Sequence, residues 1–178
     1  ILTDRVIDRP MRPLFPKDYR NDVTLENLVM CVDQDCSPEL TAMLGSALAT
    51  CISDIPFDGP TAATQIGLVD GELVINPTSA QRQVSDLALT VASTREKVIM
   101  IEAGANEVPE DKMIEAIYKA HEVNGQIIEF FDKIVAECGK EKHEYEHFDI
   151  PEDMFEDMVN FITPEAMEEL QKSLKTLE

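Results

Sequence analysis

The stretch ATQIGLVDGELVINP, residues 63–77, decides the fold class. Two short apolar runs flank Val69-Asp70-Gly71-Glu72, and Asp-Gly is the favoured two-residue turn of a β-hairpin. Downstream, DLALTVAST (residues 86–94) and KVIMIEAGA (residues 97–105) read as two more strands, joined by a polar turn at Thr94–Glu96. Alternation in the first of these places Leu87, Leu89 and Val91 on one face. Upstream, VTLENLVMCVD (Val23–Asp33) is rich in β-branched and apolar residues and reads as a strand. Ser37 is placed to cap a helix with Pro38 at its first position. The residues that follow, ELTAMLGSALATCISDI, are small or apolar almost all round. They describe a helix from Ser37 to Ser53 packed closely on a sheet, with Gly45, Ser46, Ala47 and Ala49 permitting the approach. Strand, helix and two hairpins in that order define an α+β pattern with a mixed or antiparallel sheet.

Pro109 opens a long helix with acidic residues in its first turn, as the helix dipole favours. Met113, Ile114, Ile117, Ile127, Phe131, Ile134 and Cys138 supply its apolar stripe, Asn124-Gly125 allows a bend, and Gly139 closes it. KEKHEYEHFDIPED (residues 140–153) is a charged linker. Two amphipathic helices follow, PEDMFEDMVNFI (151–162) and PEAMEELQKSLKTLE (164–178), each begun by a proline. They are too short and too acidic to stand alone. They read as part of a helical domain that continues elsewhere, just as an initial Ile rather than Met reads as a chain cut from something longer.

The 178 residues carry a formal net charge of −20. A field of that sign repels nucleic acid and anionic membranes, so any phosphate binding must be local. Residues 1–20 are the exception, with five basic and three acidic side chains. Within them Arg5, Arg9 and Arg12 recur at helical spacing and share one face of a helix. Pro10 and Pro13 make the turn around Arg12 less secure. The bland reading pairs these arginines with Asp4 and Asp8 on a solvated surface. The functional reading sets two planar forks, one turn apart, against adjacent phosphates.

Elsewhere the chemistry is sparse. His143 and His147 stand four apart, but HEYEH lacks the pattern of a zinc protease and a third ligand, so a solvated linker is the better reading. His121 falls within a helical pattern as a surface or half-buried residue. Cys31, Cys36, Cys51 and Cys138 have no metal-ligand spacing and read as buried thiols of a reducing compartment. The residues by themselves name no catalytic site and no metal site. No apolar run approaches the roughly 18–20 residues that span a bilayer, and no secretory leader pattern is present, so the default expectation is a cytoplasmic protein without a membrane partner.

Four stretches taken together, DRVIDRPMRPLFP, IPFDGPTAATQIG, GELVINPT and SDLALTVAST, resemble the first RNase PH-type core of bacterial polynucleotide phosphorylase. EAGANEVPEDKMIEAIYKAHE is similar to its last core helix. The resemblance implies a partial first RNase PH-like core over residues 1–142, and a linker with the start of an all-helical domain over 143–178. It also implies a parent enzyme, polyribonucleotide nucleotidyltransferase, that degrades messenger RNA from the 3′ end. Inorganic phosphate would release nucleoside diphosphates with Mg2+ assisting, in a cytoplasmic homotrimeric ring around single-stranded RNA. The family's phosphorolysis belongs to a second core, which this chain lacks. Active cores of the type carry an Asp-x-Asp pair where this chain has Asp86 and Ala88, and a methyl group offers a metal no oxygen. The segment is therefore expected to be inactive, to hold no metal, and to contribute RNA contacts through Arg5, Arg9 and Arg12 together with ring packing. The other reading implied is a non-catalytic RNase PH-like ring subunit that binds RNA.

Overall fold

The computed structural model describes residues 2–148 and 150–175. Ile1, Asp149 of the expected linker and positions 176–178 of the last expected helix lie outside the described residues. The chain divides into two compact units, Ile1–Glu144 and Tyr145–Glu178.

In the first unit the elements are α1 (Leu2–Met11), a 3-10 turn (Arg12–Leu14), α2 (Pro38–Ile52), β1 (Ala62–Val69), β2 (Glu72–Ile75), α3 (Ser79–Val84), β3 (Leu87–Ser93), β4 (Val98–Ala105) and α4 (Glu110–Cys138). The four strands form one antiparallel sheet in the order β2-β1-β3-β4. The hairpin forms as read: Val69 pairs with Glu72, and Asp70 and Gly71 take φ of 51° and 80°. Both central positions therefore need the left-handed region, which Gly occupies without steric cost and Asp tolerates.

Alternation along β1 and β3 sends side chains to two separate cores. Ile66, Leu68, Leu87, Leu89 and Val91 face α4, where they meet Ala116 and Ala120. Ala63, Ala92 and Met100 face the opposite way, against Ile7 and Met11 of α1 and Leu40 and Met43 of α2. Ser37 caps α2, its hydroxyl accepting from Leu40 N at 3.3 Å. Ser46 and Ala47 lie on the buried face of α2, but Gly45 and Ala49 are exposed, so the helix is covered on one side rather than all round.

Asn124 does not bend α4, which runs unbroken for 29 residues. Its side chain is fully buried and turned into the sheet. Oδ1 accepts from Thr64 Oγ1 at 2.7 Å, and Nδ2 donates to Val91 O at 3.1 Å and Ser93 Oγ at 2.9 Å. One amide thus ties the helix to both central strands. At the end of the unit, Lys142 Nζ donates to Thr50 O, Cys51 O and Ser53 O at 3.2, 2.9 and 2.7 Å, capping α2 with a cation where its carbonyls lack partners. His143 follows into the same corner, its Nε2 3.1 Å from the Tyr19 hydroxyl. It is half-buried in the first unit rather than part of a solvated linker.

Two expectations give way here. Val23–Asp33 forms no strand: it has no regular secondary structure and pairs with no strand, with Leu28 at 74% and Met30 at 90% exposure. β-propensity measures fit to a pleated, half-buried surface, and no described strand lies beside this segment to supply one. It is held instead by contacts at its middle and just past its C-terminal end. Ser46 Oγ donates to Asn27 Oδ1, Ser79 N donates to Asp35 Oδ1, and Arg82 Nη2 donates to Gln34 O. The cysteines are free, but only Cys51 is buried; Cys31, Cys36 and Cys138 are exposed. Burial pushes the Cys51 thiol up to about 11, against the pull of the Lys142 ammonium.

The second unit contains α5 (Glu152–Phe161) and α6 (Pro164–Lys175), started at Pro151 and Pro164 as the sequence indicates. Phe155, Met158, Val159, Phe161 and Ile162 are exposed.

Replacing Asn124 with Ala leaves Thr64, Ser93 and the Val91 carbonyl without their buried partner. With about 1–3 kcal/mol for each polar group so stranded, Asn124→Ala is expected to lose roughly 3 kcal/mol in urea titration. Asn124→Gln, which keeps the amide but lengthens it, is expected to recover little.

Candidate nucleic-acid interface

The sequence of α1 is amphipathic, and the packing of one face dictates what the other presents. Ile7 and Met11 are 8% and 2% exposed, set against α2 and the sheet. Burying two such side chains stabilises the seating by about 1.5–3 kcal/mol each. Helical periodicity then turns Arg5, Arg9 and Arg12 to the opposite side, where all three are exposed. Pro10 is buried in the last turn, the α-helix stops at Met11, and the backbone tightens into the 3-10 turn that carries Arg12.

The three arginines differ in what they touch. Arg12 folds back onto Asp8: Nε donates to Oδ2 at 3.1 Å, and Nη2 to Oδ1 at 2.8 Å and Oδ2 at 2.7 Å. Arg9 Nη1 lies 4.0 Å from Glu102 Oε2 on β4, at the outer limit of an ion pair. Arg5 forms no hydrogen bond or ion pair among the described residues. The pairing expected of the bland reading is therefore found at Arg12 with Asp8, whereas Arg9 meets only Glu102 at the limit of an ion pair and Arg5 keeps its fork open among the described residues. Arg9 and Arg12 border a recess of about 340 Å³ floored by Pro13, Ile99 and Met100. On the other side of Arg12 a larger recess, about 530 Å³, is lined by Asp4, Asp8 and Asp22 with Phe15 and Tyr19. Arg12 thus stands on the ridge between a basic and an acidic hollow.

Glu102 was not singled out from the sequence, although the signal was present. In KVIMIEAGA, Met100 and Glu102 fall on the same strand face, and Met100 packs under α1.

Asp86 lies just before β3, exposed, with its backbone paired to Leu68 O and Asn106 N at 2.9 Å each. Ala88, two residues on, sits in register between Gly67 and Gly104. Position 88 offers only a methyl group beside Asp86, and the other carboxylate of that sheet face, Glu102, stands in register with Thr90, so Asp86 and Ala88 do not fit a magnesium ion held by paired carboxylates at these two positions. No group of three His, Cys, Asp or Glu able to hold a metal occurs among the described residues. His147 packs against Tyr145 with the rings tilted by 49° and 4.2 Å between centroids, and His121 Nδ1 is buried without a hydrogen-bond partner among the described residues.

The four-stranded sheet backed by helices has the architecture of RNase PH-type domains. The profile of the 3′ exoribonuclease family, domain 2, matches residues 59–123, from the cis Gly59-Pro60 bond through the first half of α4. In fold, the chain is similar to the crystal structure of rice (Oryza sativa) Rrp46, with a TM-score of 0.53 at 16% identity over 59% of this chain and 51% of that one. Its fold is therefore RNase PH-like. Across its length it is 77% identical to a polyribonucleotide nucleotidyltransferase of Lachnoclostridium phytofermentans, covering 95% of this chain and 24% of that protein. It is 53% identical to one from Alkaliphilus oremlandii, covering 100% of this chain and 25% of that protein. The chain belongs to the polyribonucleotide nucleotidyltransferase, or polynucleotide phosphorylase, family, and spans about a quarter of the length of these relatives. No helix among the described residues is long and apolar enough to cross a membrane.

Proposed function

We propose that this chain is the RNA-gripping part of a 3′-to-5′ phosphorolytic exoribonuclease, in which inorganic phosphate converts messenger RNA to nucleoside diphosphates. The single observation that carries the reading is the exposed arginine face of α1, fixed by the burial of Ile7 and Met11. In a chain of net charge −20 it is the one concentrated basic surface the sequence provides. Guanidinium forks one helical turn apart match successive phosphates of a single strand, and such contacts position RNA without reading its bases. The name borne by the relatives favours an enzyme over a purely RNA-binding ring subunit. In the whole protein, a cytoplasmic homotrimer would bring three copies of this face around one RNA, and Mg2+ would serve a different core from this one.

The chemistry is assigned elsewhere because Ala88 stands where a second carboxylate would be needed. Incubated with poly(A), magnesium and phosphate, the 178-residue chain is expected to release no ADP. Steady ADP release that is abolished by Asp86→Ala would overturn the assignment.

RNA binding gives the second test. In the full-length protein, Arg5→Ala and Arg9→Ala are each expected to weaken labelled single-stranded RNA of any sequence. Each is expected to flatten the dependence of log affinity on log salt by about 0.7. Arg→Lys at either position keeps the charge but not the fork, and is expected to recover part of the loss. Unchanged affinity and slope in the double Ala variant would leave both arginines as ordinary surface charges.

A further inference from the structure

The arginine face includes an anion of its own. Asp8 sits one turn before Arg12 and engages it through three contacts of 2.7–3.1 Å, using both Nε and Nη2. That is the bidentate edge with which a guanidinium also grips a phosphate. A phosphate arriving at Arg12 must therefore either displace the carboxylate or make do with the remaining Nη1 side, within reach of a like charge. Arg5 poses no such obstacle, and Arg9 meets Glu102 only at 4.0 Å. The three cations are graded: open, loosely neutralised, and occupied.

We infer that Asp8 is a positioning residue that holds Arg12 back from the RNA, so that Arg5 and Arg9 make the working phosphate contacts and Arg12 stays in reserve. The inference rests on the reading of the α1 face as an RNA contact. Solvent exposure limits the grip. The Arg12 and Asp8 side chains are 76% and 48% exposed, and exposed pairs of this kind are weak enough for a competing anion to displace. The consequence is a face whose RNA affinity is set below the maximum its three arginines could give. Tightly held RNA would be released slowly, whereas a strand that must pass along the face step by step is better served by contacts that let go.

The test is a double-mutant cycle at positions 8 and 12 in the full-length protein, read by titration of labelled single-stranded RNA at several salt concentrations. Asp8→Asn frees the Arg12 fork and is expected to tighten RNA roughly two- to five-fold, the range an exposed ion pair spans. The salt slope should steepen by about 0.7 as a third phosphate contact forms. Asp8→Glu restores a carboxylate at the same helical spacing and should return the titration towards the starting curve. In an Arg12→Ala background, Asp8→Asn should bring no gain. A gain of the same size without Arg12 would mean that Asp8 simply repels RNA, and would overturn the inference. So would an Asp8→Asn titration that is unchanged or weaker while Arg5→Ala still loses affinity. If Arg5→Ala, Arg9→Ala and Asp8→Asn are all silent, the RNA reading of the face fails and this inference fails with it.

Discussion

The first unit depends on one constraint: strands β1 and β3 are covered on both faces. A strand covered on one side alternates apolar with polar residues, but β1 is buried along nearly its whole length and β3 almost as completely. The two covers differ. Toward α4 the residues are large and branched, Ile66, Leu89 and Val91 among them. Toward α1 and α2 they are small, Ala63 and Ala92, with Met100 filling in from β4. Small side chains let two helices crowd onto one face, and among the described residues of α1 the buried ones are Ile7, Pro10 and Met11. Because their position on the helix is fixed, the position of the arginines is fixed as well. The core thus sets the direction in which the charge points.

A polar group in the interior supports this arrangement. Asn124 places an amide between helix and sheet where an aliphatic residue would fill the space equally well. Each of its three hydrogen bonds reaches a different residue of β1 or β3. An apolar contact tolerates sliding by a fraction of a turn; an amide with three buried partners does not. The cost is that any helix register other than the observed one strands those partners.

Much of this was legible in the sequence. Asp70-Gly71 announced its hairpin as one of the few residue pairs that tolerate two successive positive φ angles. Leu87, Leu89 and Val91 announced their face by alternation, and Pro38, Pro109 and Pro151 marked helix starts. Asn124-Gly125 misled because a polar pair inside a helix looks like an interruption when its tertiary partners are unknown. Helix α3 escaped notice although Thr78 and Gln81 form a capping box that a scan for Thr-x-x-Gln would have found. Val23–Asp33 misled in the opposite direction, because residue type reports willingness to form a strand and not the presence of a neighbour. At the interface, the helical spacing of the three arginines was readable from the sequence, but their inequality was not. Whether a guanidinium is free depends on Asp8 one turn back and on Glu102 from a strand about ninety residues away.

The central claim is that α1 presents its arginine face to RNA. Its most direct test is photo-crosslinking of a 4-thiouridine-substituted single-stranded RNA to the full-length protein, with the adducts located by mass spectrometry. The account expects a major adduct within the peptides spanning residues 2–20, lost at high salt in step with RNA binding. RNA that binds with full affinity while its adducts fall only outside this segment would contradict it.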